Sequence, residues 1–179
     1  MKLAFASAAL LLASSAYAAP LDAAHSQIGF SLTQMNAPMS GQFKRFSGEA
    51  TFDPGQPSKG KADIVIDTAS ISLPTPEAVA LASNGDWFNV ARFPKARFLA
   101  TAFKALGGNR YQVSGKLTIK GITRDVSAPF SAQRKGAFTL FEGTLPVSRL
   151  AFTIGQGEWS DTDTVADKVD IRFSIAVRN

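Results

Sequence analysis

The feature that most constrains this chain is an alternation of apolar and polar residues that recurs along its length. It is clearest near the C-terminus, where every second residue of 169–178 is apolar: Val169, Ile171, Phe173, Ile175 and Val177. Residues 27–33 repeat the pattern with Ile28, Phe30 and Leu32. Because successive side chains of a strand point to opposite faces, this period of two predicts strands with one apolar and one mostly polar face.

Six further segments between these two also have the character of strands. They span residues 41–52, 62–68, 96–106, 111–119, 124–132 and 137–147. Turn sequences separate several of them: Asp53-Pro54-Gly55, Gly107-Gly108-Asn109 and Lys120-Gly121. Eight strands with mostly short connections predict one all-β domain whose antiparallel sheet closes or folds over itself.

One connection, near residues 76–92, has the character of a helical insert. Thr75-Pro76-Glu77 is typical of a helix start, with a capping hydroxyl, a proline in the first turn and an early carboxylate. Asn84-Gly85 is a stop signal, and a second short turn follows with Trp87 and Phe88. We expect this insert to cover one end of a barrel.

The N-terminus predicts export. Lys2 precedes an apolar run over residues 3–13, and Ala16-Tyr17-Ala18 forms a small-residue cleavage site. The apolar run is shorter than a membrane-spanning helix requires, and no later stretch is long and apolar enough. We therefore expect a secretory signal peptide over residues 1–18, cleaved after Ala18, and a soluble periplasmic domain over 19–179.

Composition narrows the function. The chain has no cysteine, which excludes disulfides, thiolate metal sites, cysteine nucleophiles and a lipid anchor on an N-terminal cysteine. Its net charge is +5, but the basic residues are scattered without a long run. This pattern favours a solvated, mildly basic surface over a nucleic-acid site, and it leaves transient contact with an anionic membrane or a membrane protein open.

The residues suited to catalysis or metal binding are few. His25 is the only histidine and sits beside Ser26 at a strand start, and the chain has no G-x-S-x-G motif, so we expect neither a catalytic triad nor a histidine-rich metal site. Four carboxylates cluster near the C-terminus: Glu158, Asp161, Asp163 and Asp167. Such a cluster can serve hydrolysis or calcium binding, but a capped turn at Ser160 or Asp161 is the better interpretation. We predict no catalytic and no metal-binding residue.

Phenylalanine supplies the apolar interior. The chain has 14 Phe residues, and eight of them fall in the strand-like or neighbouring apolar segments: Phe30, Phe43, Phe46, Phe52, Phe98, Phe130, Phe152 and Phe173. In a sandwich these side chains would fill a core, whereas in an eight-stranded barrel they could line a cavity for one small ligand. Periodicity alone leaves both interpretations open.

An ordered series of short motifs resembles the YceI-like family of exported lipid-binding proteins. The series covers essentially the whole mature chain and is specific as a set: His25-Ser26-x-Ile28-x-Phe30, Gly41-x-Phe43-x-x-Phe46-x-Gly48, Phe52-Asp53-Pro54, Ser70-Ile71, Asp86-Trp87-Phe88, Phe93-Pro94-x-Ala96-x-Phe98, Tyr111-x-Val113-x-Gly115-x-Leu117-Thr118-x-x-Gly121, Arg149-x-x-Phe152-x-Ile154-Gly155 and Trp159-x-Asp161-Thr162.

The resemblance implies a lipocalin-like barrel of eight antiparallel strands with a helical insert and a long apolar channel. It implies a non-covalently bound polyisoprenoid, either an isoprenoid quinone or a polyprenyl phosphate, and no catalysis. On this basis Trp87 and Phe88 are candidates for a lid, and Gln34 and Arg149 for head-group contacts. Met35 and Met39 are candidates for adaptable apolar contacts. The wall candidates are Phe30, Leu32, Phe43, Phe98, Leu117 and Phe173.

The chain departs from the resemblance at one position. Many relatives carry a histidine in the first strand, where this chain has Gln34. An amide can donate a hydrogen bond to a quinone carbonyl or a phosphate oxygen, but it does not become a cation in the physiological pH range.

Two other functions stay open at this point. One is a hydrolase acting on a lipid or a sugar through the carboxylates near residues 158–167. The other is an accessory to a membrane electron-transfer chain that hands quinone to a partner. We expect a monomer or a homodimer.

Overall fold

The computed structural model describes residues 18–179. Nearly all of the predicted signal peptide, residues 1–17, lies outside the described residues. The single α-helix of the described chain is α1, Pro76–Ser83, and short 3-10 turns occupy Ala23–His25, Pro57–Lys59, Thr68–Ser70, Leu150–Phe152 and Gly157–Ser160. The strands are β1 Ala19–Pro20, β2 Gln27–Gln34, β3 Ala37–Phe43, β4 Phe46–Thr51, β5 Lys61–Asp67, β6 Ile71–Ser72, β7 Lys95–Gly107, β8 Arg110–Ile119, β9 Ile122–Lys135, β10 Phe138–Ser148 and β11 Lys168–Arg178.

All eleven strands belong to one antiparallel sheet, in the order β1-β4-β5-β7-β8-β9-β10-β11-β2-β3-β6. The pair β4–β5 lies near one end of this order, and the pair β3–β6 lies at the other end. The two pairs are continuous in the chain, since two residues join β3 to β4 and one 3-10 turn joins β5 to β6. Where one pair passes into the other, the Lys44 N–H donates to Ser70 O at 3.1 Å and the Asp67 N–H donates to Arg45 O at 3.0 Å. Segment 37–51 therefore pairs with segment 61–72 on both sides of the bend, and this pairing closes the sheet on itself.

The predicted all-β barrel class is confirmed, and the strand count differs for a physical reason. One of the eight predicted segments, 41–52, bends in the middle and is divided into β3 and β4, and the short strands β1 and β6, which were not predicted, pair with β4 and β3. The segment predicted over 41–52 also begins earlier, at Ala37, because β2 and β3 form a hairpin around Met35 and Asn36. Both turn residues are left-handed, with φ of 48° and 62°.

The predicted helical insert is confirmed over its first half. The Thr75 hydroxyl accepts the Ala78 N–H at 3.2 Å, and α1 ends before Asn84. Residues 84–93 then form tight turns, in which the Phe88 N–H donates to Ala82 O at 2.9 Å. Proline at position 94 and the start of β7 at Lys95 end the insert.

Side chains alternate along the strands between the outer surface and a shared apolar interior. On β8, for example, Tyr111, Val113 and Leu117 are buried while Arg110 and Lys116 are exposed. No helix within residues 18–179 is long and apolar enough to cross a membrane.

The left-handed turn between β2 and β3 generates a stability prediction. Met35 is 73% exposed and gains little from burial, while its positive φ is strained for a side chain of this type. Met35→Asn places a residue that tolerates this conformation, and we expect it to raise the free energy of unfolding by about 0.5–1 kcal/mol. Urea unfolding measures the change. Met39→Asn is the control on the same hairpin: because Met39 lines the interior, it should destabilise, and an unchanged midpoint for Met35→Asn would contradict strain at the turn.

Candidate ligand cavity

An apolar cavity of about 230 Å³ runs through the barrel, and the surface that it presents is apolar. Every long strand contributes to its wall, and the insert contributes Ala82, Trp87 and Phe88. On β11 the wall extends from Val169 to Ile175, and six residue steps in a strand measure about 20 Å. The interior is therefore an elongated channel rather than a filled core, which answers the question that the Phe pattern had left open.

The structure brings ten of the twelve predicted contact residues to this cavity: Phe30, Leu32, Met39, Phe43, Trp87, Phe88, Phe98, Leu117, Arg149 and Phe173. The other two lie outside the lining. Gln34 is half-buried and forms a bridge to Val165, and Met35 is at the exposed hairpin tip. Met35 does not line the cavity, because the turn directs its side chain to solvent.

Three phenylalanine rings lie against glycines of neighbouring strands. A Cβ placed at Gly143 would be 2.5 Å from Phe173 Cζ, one at Gly41 would be 2.6 Å from Phe30 Cζ, and one at Gly115 would be 2.6 Å from Phe98 Cε2. Two of these pairs are directly opposite in register, Phe30 with Gly41 and Phe173 with Gly143. The missing side chains let the rings pack along the wall, and the centre of the channel stays open as a result.

An aromatic cluster occupies the end of the barrel near residue 52. The Phe52 ring contacts four others, with centroids 4.8–5.7 Å away: Phe103, Tyr111, Phe130 and Phe141. Three of the four contacts are edge-to-face, the favourable arrangement for aromatic rings. Lys61, which is exposed, is the charged lining residue at this end.

Two buried cations hold the opposite end, which we call the cap end and define by the turns 84–88 and 149–157. Arg149 is 3% exposed, and its guanidinium donates to the carbonyl oxygens of Ala166, Ile154, Gly155 and Val165 at 2.6–3.2 Å. No carboxylate among the described residues lies within salt-bridge distance of it. Burial lowers the pKa of Arg149, and the more distant charge of Asp167 partly opposes that shift.

The second buried cation, Lys120, ties the two turns together. Its ammonium donates to Gly85 O at 2.8 Å, Thr153 O at 3.0 Å and Gln156 Oε1 at 3.2 Å. Burial lowers the pKa of Lys120, and the charge of Asp86 partly opposes that shift. The Gly155 and Gln156 N–H groups also donate to Asp86 O. The cap end is therefore fixed by polar contacts that surround, and do not enter, the apolar channel.

Gly155 shows how closely the cap is built around Arg149. Its φ is +79°, and a Cβ there would collide with Arg149 Nη1. The Arg149 guanidinium, a candidate for a head-group contact, thus already donates to four protein oxygens, and it organises the cap end of the channel.

The C-terminal carboxylates serve local structure. Asp161 accepts the Asp163 N–H at 3.0 Å and the Thr164 hydroxyl at 2.8 Å, and these hydrogen bonds lower its pKa. Asp167 accepts the Ser148 hydroxyl and the Leu150 N–H. None of these carboxylates lines the cavity, and the described residues contain no group of three or more His, Cys, Asp or Glu that could hold a metal ion.

His25 likewise has a local partner outside the cavity. Its Nδ1 is 2.9 Å from Asp22 Oδ1, and its ring lies 4.5 Å from that of Phe138. The hydrogen bond to His25 is the main cause that lowers the pKa of Asp22. Ser26 donates to Asp22 O and accepts the Ala176 N–H, so it caps the strand entrance.

Comparison with known proteins agrees with this fold. A model of the YceI-like domain matches residues 20–177. The chain belongs to the YceI-like family. A UPF0312 protein of Photorhabdus laumondii is 36% identical over 126 residues, which cover 68% of this chain and 65% of that relative. A UPF0312 protein of Pseudomonas savastanoi is 31% identical over 146 residues, covering 77% of this chain and 76% of that relative.

Solved structures of similar proteins share the fold. BcnA of Burkholderia cenocepacia superposes with a TM-score of 0.85 at 41% identity, over 88% of this chain and 99% of its own. A polyisoprenoid binding domain of Saccharophagus degradans superposes with a TM-score of 0.72 at 16% identity, over 90% of this chain and 99% of its own. At 16% identity the likeness concerns the fold alone.

Sequence reasoning missed two features of this YceI-like site. Lys120 was assigned only to a turn, and its burial follows from a positive φ of 50° that turns it toward the cap. The glycines under the rings are also invisible to a pattern of apolar residues. The sequence signal that could have revealed them is a glycine at an inward-facing position of a strand, because such a glycine often marks the close approach of another group.

The cap predicts a large effect of removing its buried cation. In Arg149→Met, four carbonyl oxygens lose a charged donor, and we expect the free energy of unfolding to fall by about 3 kcal/mol. Arg172→Met is the matched control, because Arg172 is exposed and donates one hydrogen bond to Ser31. Urea unfolding of both variants measures the difference, and equal losses would show that the carbonyl contacts of Arg149 contribute little.

The ring-over-glycine pairs predict a narrowing of the channel. Gly143→Ala places a methyl against Phe173 and Pro129 O, so the ring must move toward the lumen, with a stability loss of about 1–3 kcal/mol. We expect lower uptake of the apolar dye 1-N-phenylnaphthylamine, and recovery in Gly143→Ala/Phe173→Leu. Gly29→Ala is the control, because it adds the same methyl 3.3 Å from Gly41 O without involving a ring. Unchanged dye uptake by a folded Gly143→Ala variant would contradict the claim that the ring-over-glycine pairs set the width of the channel.

Proposed function

We propose that this protein is a periplasmic carrier that holds the hydrocarbon chain of an isoprenoid lipid in its barrel cavity and performs no catalysis. The observation that carries the proposal is the elongated channel with an apolar surface. An empty apolar channel has no structural benefit, because its lining side chains lose packing contacts. A long apolar ligand restores those contacts.

The energetics favour a chain-like ligand. Each CH₂ group moved from water into an apolar site contributes roughly 0.8 kcal/mol. The walls of aliphatic side chains and flat-lying rings allow a methyl-branched chain to slide in without stranding a polar group. Affinity should therefore rise with the number of isoprene units until the chain fills the channel.

The comparisons support the same ligand class. The Saccharophagus degradans protein that shares this fold is a polyisoprenoid binding domain. The carboxylates and the histidine that a hydrolase would need occupy turns and strand ends away from the channel. These placements support binding over catalysis.

The proposed location rests on the N-terminal sequence. A positively charged start, a short apolar run and the Ala16-Tyr17-Ala18 site support export and cleavage after Ala18. A carrier in an aqueous compartment beside a membrane must shield an isoprenoid chain from water, and a closed barrel can do so.

Extraction of the purified protein tests the proposal. The full chain is expressed in a Gram-negative host and purified from the osmotic-shock fraction, and intact mass should show an N-terminus at Ala19. An organic extract analysed by mass spectrometry should contain an isoprenoid lipid, and delipidated protein should take up added polyprenyl ligands. No extracted lipid together with no uptake would overturn the proposed function.

A cavity-filling variant locates the bound chain. Ala128 is 3% exposed and lines the channel, so Ala128→Leu occupies ligand space. We expect a loss of retained long-chain lipid of roughly tenfold, since about two CH₂ equivalents of contact are displaced. Ala102→Leu is the control, because Ala102 is exposed on β7. Equal lipid retention in the two variants would place the ligand outside the channel.

A further inference from the structure

The indole of Trp87 carries an unpaired hydrogen-bond donor beside the channel. Trp87 is 8% exposed and lines the cavity at its cap end. Among the buried side chains of residues 18–179, its Nε1 is the one polar atom without a hydrogen-bond partner. Buried indole N–H groups usually find an acceptor, so an unpaired one calls for an explanation.

No acceptor within residues 18–179 forms a hydrogen bond with this donor. The carbonyl oxygens of the cap-end turns are directed at the two buried cations: Arg149 donates to those of Ile154 and Gly155, and Lys120 donates to those of Gly85 and Thr153. A water molecule would need two to four polar partners to be held there. Because the channel surface is apolar, the indole would be almost its only partner.

The charge at the cap end suits an acceptor oxygen. The Arg149 guanidinium carbon lies 5.7 Å from the centroid of the Trp87 ring, and no carboxylate in the described chain forms a salt bridge with Arg149. A cation over the indole withdraws electron density from it and strengthens the N–H as a donor. The same positive field favours an oxygen with partial or full negative charge.

We propose that the Trp87 indole N–H binds an acceptor oxygen of the ligand's head group, so that the isoprenoid enters head-first toward the cap end and its chain runs toward the Phe52 cluster. The oxygen is a carbonyl or a phosphate oxygen. This inference rests on the proposed function and adds an orientation and a specificity-determining residue to it. Gln34 and Arg149, the head-group candidates from the sequence, do not themselves touch the oxygen in this arrangement, and Arg149 acts only through the indole.

Three probes with similar chains test the contact: a polyprenyl benzoquinone, a polyprenyl monophosphate and the hydrocarbon squalene. Displacement of 1-N-phenylnaphthylamine from delipidated protein measures each affinity. Trp87→Phe keeps an aromatic ring but removes the donor. It should weaken the oxygen-bearing ligand by roughly three- to tenfold and leave squalene unchanged. Trp159→Phe is the control, because Trp159 packs on Trp87 with centroids 5.8 Å apart and does not line the cavity.

A second measurement on the native chain does not depend on the variant's folding. The indole ¹H–¹⁵N resonance of Trp87 should move downfield with the quinone or the phosphate, but not with squalene. A shift with the quinone alone identifies a carbonyl source, and a shift with the phosphate alone identifies a phosphate source. Either result supports the contact.

Other results overturn the inference in distinguishable ways. If the native protein binds all three probes and neither Trp87→Phe nor the indole resonance distinguishes them, the proposed function stands and the Trp87 contact fails. If Lys61→Gln, at the opposite end, weakens the phosphate ligand while Trp87→Phe does not, the orientation is reversed. If the native protein binds none of the probes, the proposed function fails as well.

Discussion

The pairing of segments 37–51 and 61–72 is the constraint on which the rest of the structure depends. Each segment bends at a short interruption, and hydrogen bonds from Lys44 to Ser70 and from Asp67 to Arg45 carry the ladder across the bend. Without them the sheet would have two open edges and an interior accessible to water. With them the apolar side chains of the long strands face one enclosed channel. Closure of the sheet therefore shields the apolar cavity from water.

Closure of the sheet leaves the two ends of the barrel, and they are built by opposite means. Aromatic rings pack around Phe52 at one end, whereas two cations surrounded by carbonyl oxygens fix the cap end. Buried charge is a costly way to connect turns if stability alone is considered. Its advantage is geometric, because a guanidinium with four acceptors and a lysine with three permit few arrangements of residues 84–88 and 149–157. That fixed geometry holds Trp87 in place against the channel.

The strands and the helix start could be predicted because each has a local cause. Alternation set the register of residues 169–178, and Thr75-Pro76 marked the start of α1. The facing of Phe30, Phe98 and Phe173 followed from the same period. The hairpin at Met35 and Asn36 could not be predicted, since methionine rarely adopts a positive φ, and its exposure removed one expected ligand contact. Whether the phenylalanines filled or lined the interior depended on glycines of neighbouring strands, which are distant in sequence.

The distribution of polar and apolar groups implies a division of labour in recognition. Apolar walls reward length and hydrophobicity but distinguish poorly between lipids with similar chains, because one methylene is worth only about 0.8 kcal/mol wherever it lies. The rings that lie over Gly41, Gly115 and Gly143 set the width of the channel and so limit the thickness of a ligand that can enter it. Discrimination between head groups then has to come from directional contacts, and at the cap end the donor available for one is the indole of Trp87. A single donor selects for an oxygen acceptor without excluding the chemistry that carries it, so the proposed contact favours a class of lipids over one compound.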